Sequence, residues 1–181
     1  MLMLVSGNAL FIVAHLFKRI APDLRAAMGA WGMGLFAALL LVSTVMMVVG
    51  YRAADGAFFW GRTPMMTGIN NLLMLVSIYL FAAAGMKTAL ARRMRHPMLI
   101  AVKIWALAHL LVNGDVPSFV LFGGMLAWAV MQMIMINRAE PDWAPPAPAP
   151  LRKEGMAVIG SVVVFAGIAA IHGWLGYPVF G

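Results

Sequence analysis

Six apolar stretches, at roughly 1–17, 31–50, 65–86, 97–113, 117–136 and 156–176, alternate with short polar connections along the chain. Each is about as long as a helix must be to cross a bilayer, some 17–25 residues. The pattern therefore predicts an all-α, polytopic membrane bundle of six transmembrane helices. The breaks carry turn chemistry. Pro22, Asp23 and Gly29 follow the first run, and Asp55, Gly56, Gly61 and Pro64 precede the third. Asn113-Gly114-Asp115 reads as a tight turn, with Pro117 in the first turn of the next helix, where its missing N–H costs nothing. So short a link predicts that the fourth and fifth helices are antiparallel neighbours. Five prolines between Pro141 and Pro150 predict an extended linker, bounded at 137–155, before the last helix. No internal repeat is visible, and residues 1–181 read as a single transmembrane domain. The first run has no basic segment before it and is followed by Lys18 and Arg19, so it reads as a retained helix rather than a signal peptide.

Composition changes the picture in three ways. With 64% apolar and 10% charged residues, the chain is unlike a soluble domain. The net charge of +7 would suggest a nucleic-acid partner in a soluble protein. Here the basic residues lie in the connections, so no nucleic acid is expected and the charge reports orientation instead. Lys18, Arg19, Arg25, Lys87, Arg92, Arg93, Arg95, Arg138, Arg152 and Lys153 fall on one side of the predicted topology, and only Arg52 and Arg62 on the other. That bias predicts an N-out, C-out protein. The six acidic residues all lie in connections, which argues against a carboxylate-driven proton pump or cation antiporter. The absence of cysteine excludes disulfides, thiolate-ligated clusters and covalent Cys-x-x-Cys-His haem attachment.

Ionisable groups inside the spans are the candidate chemistry. His15 lies near the inner end of the first span and His96 opens the fourth on the same side. His109 and His172 lie about four residues from the outer ends of the fourth and sixth spans. His96 and His109 are about 20 Å apart along a helix axis. Depth thus sorts the histidines into two pairs, His15 with His96 and His109 with His172. A haem held by two imidazoles needs such depth-matched partners; the alternative is that each ring bonds a backbone carbonyl or sits at the headgroups. Lys103 lies six residues inside the fourth span, either snorkelling to the interface or facing an anionic ligand. Arg92, Arg93 and Arg95 cluster before Pro97 at a helix N-terminus, where a phosphate, a haem propionate or lipid headgroups could be held. Asn70, Asn71 and Gln132 are expected to hydrogen-bond between helices, and Gly123 and Gly124 to allow close helix approach. The methionines are scattered, as gap-fillers are.

The phrases Arg95-His96-Pro97-Met98, Val102-Lys103-Ile104-Trp105-Ala106-Leu107-Ala108-His109, Asn113-Gly114-Asp115 and Leu126-Ala127-Trp128-Ala129 resemble the NnrU family of bacterial inner-membrane proteins. More distantly, the chain is similar to the 15-cis-zeta-carotene isomerases, which share an Arg-His-Pro opening followed by Trp-Cys-x-Ala-His. The first resemblance implies a multi-pass plasma-membrane protein linked to nitrite and nitric oxide metabolism, within the lipid bilayer and in company with respiratory or denitrification complexes. The second implies a non-covalent haem b ligated by histidine, with His109 and His15 at the matching positions, and polyene isomerisation as an activity. Ala106 stands where the isomerases have cysteine, which puts cysteine-dependent ligand exchange in doubt. A non-enzymatic accessory subunit and a small-anion transporter using Lys103 and the arginines are the other classes open to such a chain.

Overall fold

The computed structural model describes residues 1–180. Its helices are α1 (Leu2–Ile20), α2 (Pro22–Ala27), α3 (Gly29–Arg52), α4 (Pro64–Met86), α5 (Pro97–Val112), α6 (Val116–Ser118), α7 (Gly124–Ala139) and α8 (Leu151–Trp174). A π-helical turn, Phe119–Gly123, joins α6 to α7, so that Val116–Ala139 is one continuous rod. Five rods are long and apolar enough to cross a membrane: α1, α3, α4, Val116–Ala139 and α8. In α8 only 11% of the apolar window is buried, so most of its surface must meet lipid rather than protein. The protein is an all-α, multi-pass membrane protein. The fourth predicted span appears as α5, whose 16 residues give about 24 Å, less than a full ~30 Å hydrocarbon core. The proline-rich linker is narrower than its predicted bounds, because α7 runs to Ala139 and α8 begins at Leu151.

By internal packing the chain forms two compact units. One comprises Met1–Trp60 and Gly114–Pro141; the other comprises Gly61–Asn113 and the chain from Asp142 onward. The packing partner of α5 is therefore α4, and that of α7 is α1.

In the first unit, α1 lies against α3 at glycines. A Cβ on Gly7 would sit 2.9 Å from Met46 Cβ, and one on Gly50 2.5 Å from the Leu4 nitrogen, so the backbones approach where no side chain fits. Where the π turn passes into α7, the Gly124 amide serves both the Val120 and Leu121 carbonyls, and Asn8 on α1 adds a second donor. Its Nδ2 donates to the Val120 oxygen at 2.6 Å and to that of Leu121 at 3.3 Å. Asp115 caps the rod by accepting from the Ser118 amide at 2.7 Å, with Pro117 in the first turn as predicted. The predicted turn at Gly114 is instead half of a two-stranded antiparallel ribbon, β1 (Phe58–Trp60) with β2 (Gly114–Asp115). The Trp60 indole lies over Gly114, where any Cβ would collide with the ring.

In the second unit, α4 packs against both α5 and α8. Thr63 caps α4 by accepting from the Met66 amide, and Pro64 takes the first helical position. Lys87 ends the helix in the left-handed region at φ 58°. Ser77 Oγ on α4 donates to the Ala101 carbonyl on α5 at 2.8 Å. The linker is tied down where Arg92 Nε donates to the Pro146 oxygen at 2.7 Å.

Candidate functional site

The three histidines within spans share one local geometry. His15 Nδ1 bonds the Phe11 carbonyl at 3.1 Å, His109 Nδ1 that of Trp105 at 2.9 Å, and His172 Nδ1 that of Ile168 at 2.8 Å. Each partner lies four residues earlier on the same helix and, as a carbonyl, can only accept. Nδ1 must therefore carry a proton, which in a neutral ring leaves the lone pair on Nε2. This tautomer is the one found in metal-ligating histidines whose Nδ1–H is held by a backbone oxygen. Helical spacing explains it: an imidazole on a helix leans back over the preceding turn, within reach of the i−4 carbonyl.

Two of these rings share a unit. His109 on α5 and His172 on α8 stand on helices that both pack against α4. Asn113 Nδ2 donates to the His109 carbonyl at 2.8 Å, fixing the end of α5. The tail beyond α8 folds back on the same unit. The Tyr177 amide donates to the His172 oxygen, Arg62 donates to the Pro178 and Val179 oxygens, and Asn71 donates to that of Val179. Ser77 sits opposite Ala101, so in an antiparallel pair Asn70 lies level with His109, and its seven-residue spacing from Ser77 puts it on the α5-facing side. Asn70 Oδ1 is buried with no partner among the described residues.

The remaining candidates lie elsewhere. His15 belongs to the first unit, packed against Phe11 and edge-on to Trp128 at ring distances of 4.2 and 4.7 Å. His96 is the residue just before α5, at the opposite end of that helix from His109. Arg92 and Arg93 lie on a 3-10 turn, Ala91–Arg93, and Arg95 follows it, so the cluster sits at the His96 end. Lys103 is half-buried midway along α5. Asn71 does not bridge two helices as expected but reaches the tail, and Gln132 Oε1 is buried without a partner among the described residues. Of the paired glycines, Gly124 does allow close approach, to Asn8, whereas nothing lies near a Cβ on Gly123. Asn8 and Arg62 escaped attention in the sequence. Asn8 could have been found as the lone carboxamide in the first apolar run, whereas nothing marks Arg62 before the tail's path is known.

No group of three or more His, Cys, Asp or Glu side chains able to hold a metal ion occurs among the described residues. What the helices define is a polytopic membrane protein with three half-buried imidazoles on its apolar helices. The NnrU protein family model matches residues 3–179, and the chain belongs to that family. No curated protein and no solved structure gives a match.

Proposed function

We propose that this protein is a bacterial inner-membrane component of nitrite and nitric oxide metabolism that holds a non-covalent haem b through His109, with His172 as the second ligand. The observation that carries the reading is the His109–His172 pair, two imidazoles with the same Nδ1 bond on helices of one unit that both pack against α4. Two nitrogens alone are a poor set for a bare ion, which needs three or four protein ligands. They suit a macrocycle that brings four of its own. The buried Asn70 oxygen at the level of His109 supplies a hydrogen-bond acceptor beside such a group. Bound there, haem would supply a redox-active iron. The family supports the link to nitrogen oxides, and the resemblance to carotenoid isomerases supports haem b over other groups. Arg92, Arg93 and Arg95 stand at the far end of α5 from His109, so the arginine cluster serves lipid phosphate better than propionates.

The test is the absorption spectrum of the purified protein. A Soret band of a six-coordinate, low-spin haem is expected, lost or shifted to high spin in His109→Ala and in His172→Ala, and unchanged in His96→Ala. A spectrum lost in His15→Ala but kept in His172→Ala would replace His172 by His15 as the second ligand. A colourless protein, even after haem is supplied during expression, would overturn the haem reading in favour of an accessory subunit without a cofactor.

A further inference from the structure

Four buried side-chain polar atoms have no hydrogen-bond partner among the described residues: Asn8 Oδ1, Asn70 Oδ1, Trp128 Nε1 and Gln132 Oε1. Three of the four fall on one seam of the first unit. Asn8, Phe11 and His15 follow one face of α1, and Gly124, Trp128 and Gln132 follow one face of α7 at four-residue steps. Asn8 meets Gly124, and Phe11 and His15 meet Trp128. Asn8 is 5% exposed and Trp128 6%. Buried polar groups in native proteins are satisfied by protein or by ordered water. Three such atoms on one seam mark a place where a hydrogen-bonding occupant belongs.

The chemistry of the three groups around Trp128 specifies that occupant. The Trp128 indole nitrogen can only donate. Gln132 Oε1, one helical turn along α7, can only accept. His15 Nε2 accepts too, because its Nδ1 proton is held by the Phe11 carbonyl. An occupant must accept one hydrogen bond and donate two within a seam already filled by rings about 5 Å apart. A water molecule does so, and three partners is the usual number for a buried water. We propose that the α1–α7 seam binds an ordered water held by Trp128 Nε1, Gln132 Oε1 and His15 Nε2, so that His15 is a hydrated imidazole within an otherwise apolar bundle.

The test uses the full chain in lipid nanodiscs with 15N-labelled tryptophan. Trp128→Phe identifies the Trp128 indole resonance by its disappearance. The wild-type Trp128 indole proton is expected to show an exchange cross-peak to water and to exchange into D2O within minutes. Gln132→Leu, an apolar replacement that a lipid-facing bundle accepts readily, should remove the cross-peak and slow exchange at least tenfold. His15→Phe, which keeps the ring packing, should act in the same direction. A wild-type indole proton with no cross-peak to water, or one whose exchange is unchanged in Gln132→Leu, would overturn the proposal.

Discussion

The first unit closes its helices on glycine, and the second closes on alanine and serine. Gly7 and Gly50 let α1 and α3 meet backbone to backbone. Between α4 and α5, Ser77 reaches the carbonyl of the fully buried Ala101. The second unit is not short of glycine. Gly68 and Gly85 on α4 and Gly160 and Gly167 on α8 have nothing near the place of a Cβ. Without water to drive helices together, association in lipid rests on close packing and on hydrogen bonds. The two units spend the same residue type differently: one needs glycine for approach, the other carries it on surfaces that meet lipid.

Breaking the comparison at its strongest point means filling Gly50. Gly50→Leu forces a side chain into the Leu4 backbone, and overpacking of this kind costs about 3 kcal/mol or more. The expected result is a large fall in the midpoint of thermal or detergent-induced unfolding of the purified protein. Gly160→Leu on α8, the control from the other unit, should leave that midpoint nearly unchanged. Equal losses in the two variants would show that Gly50 is not a packing glycine.

A smaller effect separates the units by their polar groups. Asn8 donates to two carbonyls of the π turn that share the Gly124 amide. Asn8→Leu removes both bonds and sets a bulkier side chain against Gly124, at an expected cost of about 1–3 kcal/mol. The loss should appear as a destabilised first unit, with faster amide exchange around Phe119–Gly123 than elsewhere. Uniform acceleration along the chain would count against a specific role for Asn8 in holding the π turn.

These contrasts mark what the sequence could reveal. Run length located the six long apolar segments to within about five residues, though not the short α2, because a bilayer imposes its thickness on composition directly. Partner choice was not legible. Within the units α5 packs on α4 and α7 on α1, and nothing in the run lengths marks those pairs. The ribbon was hidden because Phe58–Trp60 is three residues long and gains its partner only when Gly114 fits beneath the Trp60 ring. Helix depth put His109 level with His172 while motif matching set it with His15; His172 is the one that shares its unit. The polar seam at Trp128 was out of reach, since a tryptophan in an apolar run looks alike whether its nitrogen is paired or orphaned.

The smallest effect sharpens the contrast between the two kinds of polar contact. Ser77 donates to the Ala101 carbonyl at 2.8 Å, and both residues are buried. Ala101 lies inside regular α-helix, where its oxygen already accepts an amide from one turn on. The serine therefore adds one bond to an acceptor that already has an amide, whereas Asn8 adds a donor to two acceptors that share the Gly124 amide. Ser77→Ala should cost only about 0.6 kcal/mol, typical of an interhelical hydrogen bond in a membrane, because it leaves no group stranded. Unfolding midpoints measured side by side should rank Ser77→Ala well below Asn8→Leu. The reverse order would mean that the α4–α5 contact depends on its hydroxyl rather than on alanine packing, and the division between the units would then have to be drawn elsewhere.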